Sequence, residues 1–316
     1  MAEERSLSPH ELPTIGPAAI TMGAFDGIHR GHAAILQATR SAALELTVAS
    51  VALVFDPHPD EILHPGTRAA RLAPLRVNLA RIRQLGIDHV LRIRFDDELR
   101  SLTAEQFLAA LEPSIDLCAL VMSRESAFGR GRTGTAAHMR EVGHSEHFRV
   151  VTVDRVLVGG EPVSSSRVRE AVITGQFAAA RAMGVAPYLE GTVVRGDQRG
   201  RQLGFPTANL AFGYLPVMPP RGIYAGRAMI VDSPRAAPAP TAPALISIGT
   251  RPTFHRDGVE LVEVHLLGVD ADLYAATIGV ELVTWLRDER RFDSAEQLVV
   301  QMQLDAEEAR RILGVA

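Results

Sequence analysis

GTVVRGDQRGRQLGFPTANL, Gly191 to Leu210, divides the chain into two unlike halves. Before it, strand-like and helix-like segments alternate; after it come short β runs separated by Gly and Pro. Gly196, Gly200 and Gly204 give conformations and close approach that a Cβ blocks. Arg195, Arg199 and Arg201 bring positive charge, and Pro206 stiffens the turn that presents Thr207 and Asn209. A hydroxyl and an amide at i and i+2 of an extended segment point the same way. Together they could hold Mg²⁺ and the oxygens of a nucleotide phosphate. By composition alone, an Arg/Gly-rich hairpin ending in a turn fits the stretch as well.

A length of 316 residues, 47% of them hydrophobic, suits two domains with two buried cores. The 33 Lys and Arg are offset by 37 Asp and Glu, without a basic tract or aromatic-interleaved patch, which argues against a nucleic-acid partner. A single cysteine, Cys118, excludes an intrachain disulfide framework and a multi-cysteine metal site. It sits in the apolar run LCALVM, where a buried structural thiol is expected. MAEERSLSPHELP lacks an apolar targeting core and reads as a short disordered lead. No run approaches the ~20 apolar residues of a membrane span, so a cytoplasmic protein is expected.

Outward from the central stretch, the first half reads as strand Ala18–Met22, a glycine-punctuated turn, and a helix through Leu44. Strands follow at Thr47–Phe55, Asp88–Phe95, Leu117–Met122 and Phe148–Val153. Helices are expected over Val77–Leu85, Ala104–Leu111, Ala136–Val142, Ser164–Ile173 (with Ser164 to Ser166 as caps) and Phe177–Met183. That alternation fits a parallel sheet covered on both faces. In the second half, β runs at Gly222–Ile230, Ala244–Ile248, Val259–Leu267 and Gly279–Leu286 fit a small antiparallel barrel. Ser233–Ala244, rich in Pro and Ala, reads as a mobile loop inside that barrel, and Ala295–Leu313 as an amphipathic closing helix.

Two patterns carry chemistry. GAFDGIHRGH, Gly23 to His32, directly follows the first strand. Its glycines admit an anion, and the helix behind it offers free N–H groups and a positive dipole end. His29 and His32 can donate hydrogen bonds to phosphate oxygens as charge builds there. Such pairs also serve as plain cap residues, but ligands of doubly wound sheets bind beyond the strand ends. On the strand Val259–Leu267, period 2 puts Glu263, His265 and Leu267 on one face and Val262, Val264 and Leu266 on the other. A carboxylate so placed is either solvated on an outer barrel wall or a base for a substrate hydroxyl.

GAFDGIHRGH resembles the HxGH signature of nucleotidyltransferases, and the string is similar to the adenylyltransferase half of prokaryotic FAD synthetases. FDPHP, Phe55 to Pro59, resembles that family's second motif, and VSSSRVR, Val163 to Arg169, its ISSTxxR motif. GDQRGRQLGFPTANL resembles the riboflavin kinase signature, followed by RGIYAG, ISIGTRPTF, VEVHLLGVDADLY and WLRDERRFDSAEQL in the same order. The resemblance to prokaryotic bifunctional riboflavin kinase/FAD synthetases spans residues 18 to 313. VMSRESAFG, Val121 to Gly129, departs from it: Glu125 stands at the usual Asp/Asn position and Ser126 replaces an aromatic. An added carboxylate near a flavin phosphate would be repulsive.

The resemblance implies a Rossmann-like α/β nucleotidyltransferase domain with a parallel sheet, residues 15–185, then a small antiparallel β-barrel riboflavin kinase domain with a C-terminal helix, residues 186–316. It implies ATP and Mg²⁺, with riboflavin, FMN and FAD as substrates and products. Small molecules would be the partners, with no nucleic acid or membrane, in a monomer or weak homo-oligomer. In the first site His29, His32 and Arg169 would be catalytic, with Gly23, Phe25, Asp26, Gly31, His58, Ser164, Ser165 and Ser166 around the nucleotide. In the second, Glu263 would be the base, Thr207 and Asn209 would hold Mg²⁺, and Gly196, Arg201, Gly204, Pro206 and Asn209 would surround the nucleotide. The altered Ser123–Ser126 segment leaves open a riboflavin kinase whose first domain has lost or changed its flavin substrate.

Overall fold

The structure, a computed structural model, describes residues 5–64, 66, 69–196, 204–234, 241–250, 260–269 and 271–315. They fall into two compact units, residues 1–69 with 75–165 and residues 70–74 with 166–316. Among them no helix is long and apolar enough to cross a membrane.

The first unit is built on five parallel strands: β1 (Gly16–Gly23), β2 (Ala49–Asp56), β3 (His89–Arg94), β4 (Ile115–Ser123) and β5 (Arg149–Val153). Their spatial order is β3-β2-β1-β4-β5. The chain leaves β1 in one direction and later returns to its other side, so the topological switch lies between β1 and β4. The helices of this unit are α1 (Arg30–Leu46), α2 (Pro59–Leu63), α3 (Leu75–Gln84), α4 (Asp97–Ser101), α5 (Ala104–Leu111) and α6 (Ala136–Ser145). Both sheet faces are apolar, as parallel strands require. Ile20, Leu53, Ile93 and Leu120 pack with Phe107 of α5 and Met139 of α6. On the opposite face Ala19 and Val121 meet α1, and Ala52 and Val54 meet Leu79 and Ile82 of α3.

Two expectations fail here. The N-terminal lead is ordered where it is described. Leu7 is buried, its N–H donates to Arg92 O at 2.9 Å, and its carbonyl accepts from Arg94 N–H at 2.8 Å. This bridge extends the sheet at its β3 edge, and a Ser8–Glu11 capping box fixes the following turn. Buried Leu7 and Leu12, an open strand edge and bonds such as Ser114 Oγ to Leu12 O order this otherwise polar segment. Cys118 is only half-buried. The β1–β4 register passes from Leu117 opposite Ala18 to Ala119 opposite Ala19, so Cys118 is a bulge residue outside the ladder.

The second unit opens with α7 (Ser165–Ile173) and α8 (Phe177–Ala182), then a closed six-stranded barrel. Its strands are β6 (Tyr188–Val194), β7 (Ala208–Ala211), β8 (Gly222–Asp232), β9 (Ala242–Thr250), β10 (Glu260–Leu266) and β11 (Thr277–Arg287), and its closing helix is α9 (Ala295–Leu313). The barrel order is β6-β7-β10-β9-β8-β11. Residues 235–240 of the expected loop lie outside the described residues, while Ala242 to Ala244 already belong to β9. The interior is filled by Leu189, Ile246, Val262, Val264, Val280 and Leu282, and by Tyr224 stacked on Phe177. Burial pushes the Tyr224 phenol up to about 12, and its hydroxyl donates to Pro220 O.

Helix α9 lies on the outer wall, Ala306 and Ala309 against Ala225, Leu245 and Leu267. A buried ion pair fixes it: Arg287 Nη2 meets Asp305 Oδ2 at 2.6 Å, and Gln301 Nε2 donates to the other oxygen at 2.9 Å. Removing one partner of such a pair strands a buried charge. Asp305→Ala is therefore expected to cost about 3 kcal/mol or more and to lower the barrel's melting temperature by on the order of 10 °C. A shift below about 2 °C in thermal unfolding would show that the pair contributes nothing net.

Candidate active sites

The first candidate site lies at the carboxyl ends of β1 and β2. After Gly23 the chain makes a tight turn and enters α1, with His29 as N-cap. A histidine in this role must accept through a ring nitrogen: His29 Nδ1 takes the N–H of His32 at 3.2 Å. The proton of the neutral ring is then on Nε2, which becomes a donor. The His29 and His32 rings stack at 3.7 Å between centroids, and the Phe25 ring meets His32 edge-on at 5.3 Å. A Cβ at Gly31 would approach the His29 ring to 3.1 Å, so the stack leaves little room beneath it. The next strand repeats the device, as His58 caps α2 and accepts Asp60 N–H on Nδ1 at 3.2 Å.

Other expected site residues have different placements. The Asp26 carboxylate is buried, with Asn78 Nδ2 at 3.5 Å. Ser165 opens α7, yet its hydroxyl donates to Asp26 O at 3.2 Å rather than capping that helix. This ties the turn after β1 to the Ser164–Ser165 segment. Ser166 and Arg169 belong to the second unit, where Arg169 Nε donates to Ala70 O at 3.0 Å. Glu125 is not an isolated carboxylate. Its Oε2 lies 3.2 Å from Arg155 Nε, and Arg124 Nε lies 2.7 Å from Asp154 Oδ1. These crossed pairs join the ends of β4 and β5, so the repulsion expected of a lone charge at Glu125 is offset.

The second candidate site lies on the outer wall of the barrel. In the β7–β10–β9 register, Asn209 stands opposite Glu263, and Glu263 opposite Ser247. Directly opposed residues share a face. An amide, a carboxylate and a hydroxyl therefore form one row, while Val262 and Val264 point into the core. Thr207, just before β7, donates from Oγ1 to Glu263 Oε1 at 3.4 Å. Asn209 is only 5% exposed, and among the described residues its Oδ1 has no hydrogen-bond partner. A Cβ on Gly196 would fall 2.3 Å from Asn209 Nδ2, so only glycine fits over this amide. Gly204, at φ +82°, carries the chain into Phe205 and Pro206 through a left-handed conformation. Arg201 and residues 251–254 of ISIGTRPTF lie outside the described residues.

Period 2 places His265 on the Glu263 face, and the structure gives it a role. Its Nδ1 lies 2.7 Å from Pro206 O, and its ring 5.3 Å from that of Phe205. The Phe205–Thr207 turn is thus held against β10. Burial holds the His265 pKa below the ordinary histidine value, opposed by the bond to Pro206. The neutral ring therefore donates through Nδ1. Beside this turn opens a cleft of 530 Å³ lined by Val193, Thr207, Leu266, Val269, Leu273 and Tyr274. Arg195 lies over the Tyr274 ring at 5.8 Å.

Three oxygen groups, Thr207, Asn209 and Glu263, thus stand together next to a cleft that Thr207 lines, and among the described residues the buried Asn209 acceptor has no partner. Hard oxygen donors of this kind suit Mg²⁺, which keeps most of its shell for water and phosphate. Among the described residues no cluster of three or more His, Cys, Asp or Glu could hold a metal by itself.

Comparison with known proteins matches each half of the chain to a family. Residues 13–167 match the FAD synthetase family and residues 183–313 the riboflavin kinase family. The bifunctional riboflavin kinase/FMN adenylyltransferase of Escherichia coli K12 is 34% identical, over 94% of this chain and 93% of its own. That of Pseudomonas fluorescens is 36% identical over 92% of each chain, and that of Bacillus subtilis 28% over 96% and 95%. A crystal structure described as a macrolide-efflux protein of Streptococcus pneumoniae superposes with a TM-score of 0.86 at 26% identity, covering 98% of this chain and 99% of that one. With matches to both families and relatives aligned along almost the whole chain, the protein belongs to the bifunctional riboflavin kinase/FMN adenylyltransferase family.

Proposed function

We propose that this chain converts riboflavin to FMN with ATP and then adenylylates FMN to FAD. The first step falls to residues 186–316 and the second to residues 15–185. The observation that carries the reading is the convergence of Thr207, Asn209 and Glu263 beside the cleft.

In the barrel, the ribityl 5′-hydroxyl oxygen attacks the γ-phosphorus of ATP while ADP departs. Glu263 takes the hydroxyl proton, and Thr207 Oγ1, beside Glu263 Oε1, orients that carboxylate. Asn209 Oδ1 and Thr207 Oγ1 would hold Mg²⁺ together with the nucleotide. When bound, the ion neutralises charge on the β- and γ-phosphate oxygens. In the α/β unit, an FMN phosphate oxygen attacks the α-phosphorus of ATP and pyrophosphate leaves. His29 Nε2–H, His32 and the N-terminal amides of α1 face the charge that develops on the phosphates. Neither step needs a covalent intermediate.

The pairing of Glu125 with Arg155 favours this reading over a kinase with an altered first domain. The test is incubation with riboflavin, ATP and Mg²⁺, with chromatographic separation of the flavins over time and a parallel tube started from FMN. FMN followed by FAD is expected. FMN accumulation, with no FAD in the FMN-fed tube, would reduce the protein to a kinase.

A further inference from the structure

The turn that delivers His29 is strained. Phe25 and Ile28 both have φ of 47°, and Gly27 has φ of 83°. A left-handed conformation is rare for a side chain of any size and rarer still for β-branched Ile. Such strain persists only where surrounding contacts over-determine it. The contacts come from α3, in the crossover between β2 and β3. Asn78 Oδ1 accepts the N–H of Gly27 at 3.1 Å, and its Nδ2 lies 3.5 Å from Asp26 Oδ1. One turn further along, Arg81 Nη1 donates to Gly27 O at 3.3 Å. The Gly27 residue is therefore gripped by both its N–H and its C=O from one helix.

Asn78 is an anomaly in its own element. It is 2% exposed on the stripe that otherwise buries Leu79 and Ile82, where an apolar residue would fill the core without needing partners. A buried amide is worth its desolvation only if its hydrogen bonds are made, and here they go to the turn before His29.

We propose that Asn78 is a positioning residue for adenylyl transfer. It holds the Asp26–Gly27 peptide so that the stacked His29–His32 pair meets the ATP phosphates at the right distance. The inference rests on the histidine site proposed above. Asn78 does not touch the reacting atoms in this account; it acts through the turn.

The experiment compares the full-length wild type with Asn78→Ala and Asn78→Asp. Rates of FMN and FAD formation are measured in each, with His32→Ala alongside. Asn78→Ala is expected to lower kcat for FAD formation from FMN by about 10²-fold, the scale of a 1 Å misplacement, with KM for FMN little changed. FMN formation in the barrel should stay at the wild-type rate, and thermal unfolding of the full chain should keep the transition of the α/β unit, which reports that this unit is folded. Asn78→Asp sets two carboxylates against each other and should fall at least as far. Wild-type FAD formation by Asn78→Ala, or equal loss of both activities, would overturn the positioning role. If His32→Ala makes FAD normally, the histidine site itself is wrong, a result separable from failure of Asn78 alone.

Discussion

Glu263→Gln is expected to lower riboflavin phosphorylation by about 10³-fold while leaving FAD formation from supplied FMN near the wild-type rate. Glutamine keeps the volume of the side chain and its place opposite Asn209 and Ser247 in the β7–β10–β9 row. It can still accept from Thr207 Oγ1, which sits 3.4 Å from the carboxylate oxygen. What it cannot do is take a proton from the attacking hydroxyl. The loss should therefore appear in kcat, with riboflavin and ATP binding retained. Coupled loss of FAD formation from FMN would contradict the assignment of the two reactions to separate sites. Retained kinase activity would remove Glu263 as the base and return it to a solvated wall residue.

The converse separation is expected at His32. His32→Ala should lower FAD formation from FMN by about 10²- to 10³-fold, the usual effect of losing one donor to a developing oxyanion. FMN formation should be spared. His32 is a cleaner probe than His29, because His29 is also the N-cap of α1. The backbone N–H of residue 32 that satisfies His29 Nδ1 survives the substitution, so the helix start is preserved. The stacked ring and its contact with Phe25 are lost. Following FAD appearance from FMN by chromatography at saturating ATP measures the effect. A normal rate would exclude the His32 ring from the chemistry.

The sequence by itself determined the class of each half and marked the stretches proposed as the two sites. Glycine spacing, the His29–His32 pair and the run from Gly204 to Asn209 are local constraints, since a backbone must bend tightly to wrap phosphate. Helices α5 and α9 were legible to the residue, because one has a Thr103–Gln106 capping box and the other begins at Ser294 and ends at Gly314. The outward face of Glu263 followed from period 2, because Val262 and Val264 could only be core.

Tertiary structure decided what depends on partners distant in the chain. Strands β6 and β7 were not separately recognisable, being short and Gly-interrupted; their extended form is maintained by ladders to β10 and β11. Leu7 is ordered by a strand edge 86 residues away, where no local signal exists. Cys118 looked like a core thiol until the bulge in β4 moved it out of the ladder. Ser165 read as a helix cap, but its hydroxyl reaches Asp26 O across 139 residues. The same holds for Asn78, whose polarity in an apolar stripe was visible, while the strained turn that needs it was not. Hydrophobic and glycine patterns report what a segment must do locally; hydrogen-bond partners are chosen only when the chain has closed on itself.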